Sequence, residues 1–200
     1  MKFKLNDVQS HLCCRAYPFS IKSFFLLLIT SLLLTFACTD DTQKSAVHFK
    51  KGLQALKNEE FKKAELELKN AIKLHPESAQ AHFLLGETFL KQGDVRKAFK
   101  AYSQTVQLND QNADAHTKLA QIYLSVGKPE NALNFAQSAL RTEPNGTILE
   151  TARFIHAQAL AQQKEYTTAL EEVNVLLESN QNNIRAYLLK GRILDALEKK

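Results

Sequence analysis

A column of alanines most constrains what this chain can fold into. Ala64, Ala98 and Ala132 recur every 34 residues, and Ala169 follows after one further period plus three residues. Two more columns keep the same beat: Gly52, Gly86, Ala120, Ala157 and Gly191, then Leu68, Tyr102, Ala136 and Val173. Self-similarity at one period of this length is the mark of stacked helical units, each too small to bury its own apolar face. Such a stack offers a long surface for binding and carries no chemistry of its own.

The residues on the beat suit two crossing helices. In the clearest unit, Ala79 to Leu90 reads as a first helix, Gln92-Gly93-Asp94 as a turn, and Ala98, Tyr102, Val106 and Leu108 as the inward positions of a second helix. Small residues at Gly86 and Ala98 let the two backbones approach, while Leu85, Phe89 and Tyr102 fill the space beside them. The next unit repeats this with Leu119, Ala120, Tyr123, Ala132, Phe135 and Ala139, closing on Pro144, as the first unit closes on Pro76. Proline just past a helix end stops the helix. Ser78, Asp94 and Asn183 stand where N-caps belong, and Pro129 at a first helical turn. No stretch alternates with period two, so essentially no strand is expected.

These residues resemble the tetratricopeptide repeat (TPR). Leu85-Gly86-x-x-Phe89 with Ala98, and Leu119-Ala120-x-x-Tyr123 with Ala132 and Pro144, carry the likeness, which runs from Ser45 to the C-terminus. It implies an all-α, right-handed superhelical solenoid of helix-turn-helix repeats at 45–78, 79–112, 113–146 and 150–183. Unit four departs from the pattern: His156-Ala157-x-x-Leu160 lacks the aromatic, and Gln181 replaces proline. Thr147–Leu149 is an insertion expected to lengthen the next helix by nearly a turn. Residues 184–200 supply a half repeat or a capping helix; a further covering helix and a contact between copies are the other readings of its apolar Tyr187, Leu188, Ile193, Leu194 and Leu197.

The N-terminus carries an address. Ser23 to Thr39 holds no charge, its apolar heart runs from Phe24 to Leu34, and Lys2, Lys4, Arg15 and Lys22 precede it. This reads as a signal peptide over residues 1–37. Leu34-Thr35-Phe36-Ala37-Cys38 resembles a bacterial lipobox, although Thr35 and Phe36 depart from the usual residues. The resemblance implies lipidation at Cys38. An ordinary cleaved signal or an uncleaved anchor are the alternatives. Cys13 and Cys14 lie in the segment to be removed, so Cys38 would be the sole thiol of the mature chain. Residues 38–44 then form a short polar tether. Thr39 in place of aspartate after the cysteine leans towards the outer membrane. The expected location is the bacterial envelope, lipid-anchored and facing the periplasm.

Charge and motifs exclude other classes. The chain carries a formal +5, but four of its cations sit in the leader, and the remainder is close to balance. No basic stripe with interleaved aromatics emerges, so no nucleic acid is expected. His48, His82 and His116 recur on the beat, yet neighbouring repeats stack about 8–10 Å apart, too far for one metal with ligands at about 2 Å. They read as packing residues. No phosphate-cradling loop, GxSxG or cysteine–histidine pair is present. No enzyme activity, cofactor, metal or small-molecule substrate is expected.

What remains is a scaffold for a protein or peptide partner. In the TPR family the first helices line the concave face, and Leu85 and Phe89 point into the helix pair. The opposite face of each first helix therefore supplies the groove. That register places Phe49 and Leu53 there in unit one, and Phe83, Glu87 and Leu90 in unit two. Thr117, Gln121 and Leu124 follow in unit three, then Phe154 and Gln158, then Leu188 and Arg192. Apolar anchors with interspersed amides suit an extended or helical peptide, and do not resemble the lysine- and arginine-rich clamp of TPRs that grip chaperone carboxylates. A narrower likeness points elsewhere. Leu68-Lys69-Asn70-Ala71, Pro76, Ala81 to Glu87, and Gly93-Asp94 resemble the opening of TPR lipoproteins of the PEP-CTERM sorting and exopolysaccharide system. That makes an accessory role in polysaccharide export or PEP-CTERM sorting the alternative function.

Overall fold

The computed structural model describes residues 41–199. The expected signal peptide and Cys38 lie outside the described residues. Every element described is helical, and among the described residues there is no strand. Helix α1 covers residues 41–57. Then come α2 (Phe61–Leu74), α3 (Ala79–Lys91), α4 (Val95–Leu108), α5 (Ala113–Ser125) and α6 (Pro129–Arg141). They are followed by α7 (Gly146–Gln162), α8 (Tyr166–Ser179) and α9 (Ile184–Glu198). Residues 41–44, expected as part of a tether, are already helical. Among the described residues no helix is long and apolar enough to cross a membrane.

Consecutive helices pack antiparallel in pairs, and pairs stack on pairs; α5 also packs directly on α7. The result is an all-α solenoid of stacked helix pairs, the architecture that the resemblance implies. Its small-residue columns sit at the crossings. Ala64, Ala98, Ala132 and Ala169 are fully buried. A Cβ added at Gly86 would lie 2.6 Å from Tyr102 Cε1, and one at Gly52 would lie 2.7 Å from Leu68 Cγ. The glycine column is thus the floor on which the second helix's large residue rests.

Local chemistry sets the helix ends. Ser78, Asp94 and Asn183 each accept a backbone N–H from three residues on, at 3.3, 3.0 and 3.1 Å. Asn112 does the same for Ala115 at 2.9 Å. Pro129 opens α6. The turn inside each repeat passes through the left-handed region at the same place, by Glu59 (φ 60), Gly93 (φ 81), Gly127 (φ 70) and Lys164 (φ 67). Two of these four positions lack the glycine that such a conformation favours. The insertion lengthens α7 to 17 residues, against 13 in α3 and α5, close to one extra turn.

The repeating histidines fasten the stack. His82 Nε2 lies 3.0 Å from the Pro76 carbonyl, and His116 Nε2 lies 2.8 Å from the Asp110 carbonyl. Each imidazole donates across the turn between repeats, to a carbonyl six residues earlier. His48 instead meets Glu67 at 2.6 Å.

Candidate peptide-binding groove

The first helices α1, α3, α5, α7 and α9 form one layer, and α2, α4, α6 and α8 the other. Leu85 and Phe89 turn into the helix pair and are buried. The residues expected to line the groove fall into three groups. Gln121, Leu188 and Arg192 are exposed, Leu188 at 65%. Phe49, Leu53, Phe83, Glu87, Leu90, Leu124 and Gln158 are half-buried. Of these, Phe49, Phe83 and Leu90 rest on the core around Tyr102.

Two expected lining residues are placed differently. Thr117 is buried, and its hydroxyl donates to the Ala113 carbonyl of its own helix at 2.8 Å. Phe154 is buried in the core shared by α7, α8 and α9, and the Arg185 guanidinium covers its ring at 4.3 Å. Neither offers its side chain to an open surface. Both misplacements arise because the register gives a side chain's direction, whereas burial depends on how closely the neighbouring helix approaches.

The centre of the groove is a linked patch. Tyr102 donates to Glu87 Oε1 at 2.5 Å, and Lys118 Nζ lies 2.8 Å from the same oxygen. Phe83 leans on the Tyr102 ring with centroids 5.6 Å apart. Glu87 of α3 thus ties α4 to α5. Burial pushes the Tyr102 hydroxyl well above its ordinary pKa, aided by the hydrogen bond to Glu87. Burial also raises the Asp114 carboxyl, an effect that Lys118 opposes. Glu87 is a groove position by its register, whereas Lys118 and Asp114 carry no such signal in the sequence. Lys118 follows Thr117 directly on α5, and only the distance to α3 reveals its partner.

Between α7 and α9 lies a pocket of about 210 Å³, lined by Gln158, Ala161, Gln162, Leu189, Arg192 and Ala196, with Tyr166 and Ile193 completing it. Its signal is present in the repeat columns: Leu56, Leu90 and Leu124 give way to Ala161 at the same position. The smaller side chain of Ala161 lines the pocket.

Stacked helix pairs with one face of the first-helix layer only partly covered define a helical-repeat interaction scaffold. Two tetratricopeptide repeat models match the chain, over residues 49–113 and 89–150, together spanning about half of it. The chain belongs to the tetratricopeptide repeat family. No curated protein matches it. Among solved structures it is similar to a crystal structure of MamA, with a TM-score of 0.70 at 18% identity, covering 78% of this chain and 84% of that one. It is also similar to YrrB, described as a TPR protein with an unusual peptide-binding site, with a TM-score of 0.71 at 18% identity over 83% of this chain and 84% of that one. The TPR2B domain of yeast Sti1, in complex with pHsp70, gives a TM-score of 0.55 at 16% identity, covering 60% of this chain and 99% of that one. At these identities the likeness is one of fold.

Proposed function

We propose that this protein is a lipid-anchored scaffold of the bacterial envelope, facing the periplasm, that holds a peptide segment of a protein partner along its first-helix layer. The observation that carries the binding reading is the run of half-buried and exposed side chains on that layer. Phe83 and Leu90 stand beside the Glu87–Lys118 pair, with Gln121 and Leu124 following on α5. Apolar anchors give affinity, and amides and the ion pair give register to a peptide backbone. The peptide-binding site in YrrB's description, and the Sti1 complex, support a peptide or protein as the ligand class for this fold. The anchoring half of the reading rests on the sequence of residues 1–38 alone.

The binding reading is tested by recovering partners from the native envelope with tagged chains. Phe83→Glu combined with Gln121→Ala should lose the partner that the wild type retains. Lys100→Glu, an exposed change on α4, should retain it; the double variant should melt lower than the wild type, because Phe83 also packs on Tyr102, yet stay folded at the temperature of the assay. Loss on Lys100→Glu alone would place the binding face on the second-helix layer.

A further inference from the structure

We propose that the cleft between α7 and α9 is a side-chain subsite for an acidic peptide: it takes one aliphatic side chain into the pocket beside Ala161 and pairs carboxylates with Arg192 and Arg185. This rests on the groove reading above and names the chemistry of the segment held at that end.

Four observations converge. The first is shape. Ala161 stands where Leu56, Leu90 and Leu124 stand in the other repeats, and the pocket of about 210 Å³ opens beside it. Pockets that enclose whole small ligands run to about 300–1,000 Å³, so this one is sized for a side chain. The second is lining. Ala161, Ala196, Leu189 and Ile193 make the floor, with Gln158 and Arg192 at the pocket's polar edge. An apolar floor under an amide and a guanidinium accepts an aliphatic group whose backbone or neighbour is polar and anionic.

The third is charge. Arg192 is exposed and forms no ion pair within 4.0 Å among the described residues. The acid nearest to it along the helix, Asp195, is engaged by Lys199 at 2.6 Å. The fourth is spacing. Arg185 likewise forms no ion pair within 4.0 Å among the described residues; its guanidinium is held over Phe154, and Glu150, which lines the same cleft, accepts from Asn180 at 3.0 Å. Arg185 lies two helical turns from Arg192, about 10 Å along α9. An extended peptide rises about 3.3 Å per residue, so carboxylates three residues apart match the two arginines. The preferred motif is acid-x-x-acid followed directly by an aliphatic residue.

The probe is a fluorescein-labelled, amidated nonapeptide with two glutamates three residues apart, a leucine after the second, and serine or glycine elsewhere. Binding to the full chain is read by fluorescence anisotropy. The wild type should bind it at least about tenfold more tightly than the versions with lysine for glutamate or serine for leucine, and the difference should shrink as salt is raised. Ala161→Leu, which fills the pocket, and Arg192→Glu, an exposed change that leaves the core alone, should each weaken binding about tenfold or more. Equal binding of the lysine peptide overturns the charge assignment, and full affinity in Ala161→Leu overturns the pocket. If both hold affinity while Phe83→Glu with Gln121→Ala still loses the envelope partner, the subsite falls and the groove stands. If the groove pair keeps its partner, the groove reading falls whatever the peptide does.

Discussion

His156 occupies the position that Leu85 and Leu119 fill in the two preceding repeats, and it is nearly as buried as they are. Its Nδ1 lies 3.5 Å from Glu172 Oε1, and neither ring nitrogen has a hydrogen-bond partner among the described residues. Arg153 takes the other Glu172 oxygen at 3.0 Å. Burial therefore holds the imidazole below its ordinary pKa; Glu172 opposes this and Arg153 reinforces it. The unfolded chain takes up the proton more readily than the native one. Stability from this residue is then fully present above the ordinary histidine pKa of about 6.5 and is lost as pH falls through the folded value. His156→Leu should remove that loss. Between about pH 7 and about pH 5, the melting midpoint of the wild type should fall more steeply than that of the variant, which should also be more stable by about 1 kcal/mol or more at the acid end. Parallel slopes would show that His156 does not titrate in the transition. The sequence marks His156 as a departure from the leucine column. That Arg153 and Glu172 converge on it is a fact of packing between α7 and α8, out of reach of spacing alone.

The turn within each repeat shows where local signals end. Gly93 and Gly127 announce their left-handed backbone, because glycine is the residue that adopts it without steric penalty. Glu59 and Lys164 adopt the same conformation with a side chain attached, and nothing in their chemistry signals it. Only their place on the beat does. An L-residue there costs about 1–2 kcal/mol, offset in part by the greater chain entropy that glycine loses on folding. Lys164 is exposed, so Lys164→Gly should raise stability by about 0.5–1 kcal/mol, read as a higher denaturation midpoint in urea with an unchanged slope. A lower midpoint would mean that the Lys164 side chain makes a contact worth more than the strain. The helix caps were legible for the same reason as the glycines. Ser78, Asp94 and Asn183 have side chains that suit one backbone role. Asn112 lies in the polar run 109–112, where several residues present the same chemistry and the sequence does not choose between them.

At the scale of the molecule, the period dictates that helices pair and stack into a layer of first helices and a layer of second helices. The same period does not say how far apart neighbouring first helices stand, which is why Thr117 and Phe154 were expected in the open and are covered. Location is a separate question, carried by the apolar run ending at Ala37-Cys38. Cys38 should be acylated: a clickable palmitate analogue fed to cells should label the wild type and leave Cys38→Ala unlabelled, since stable anchoring takes more than one acyl chain. Equal labelling of the two would exclude Cys38 as the attachment point. The binding face itself is tested most directly by site-specific photo-crosslinking in the native envelope. With p-benzoylphenylalanine placed in turn at Phe83, Gln121, Leu188 and Lys100, a shared partner adduct should form from the first three positions, all on first helices, and be absent from Lys100. An adduct from Lys100 with none from Phe83 or Gln121 would contradict the first-helix layer as the binding surface.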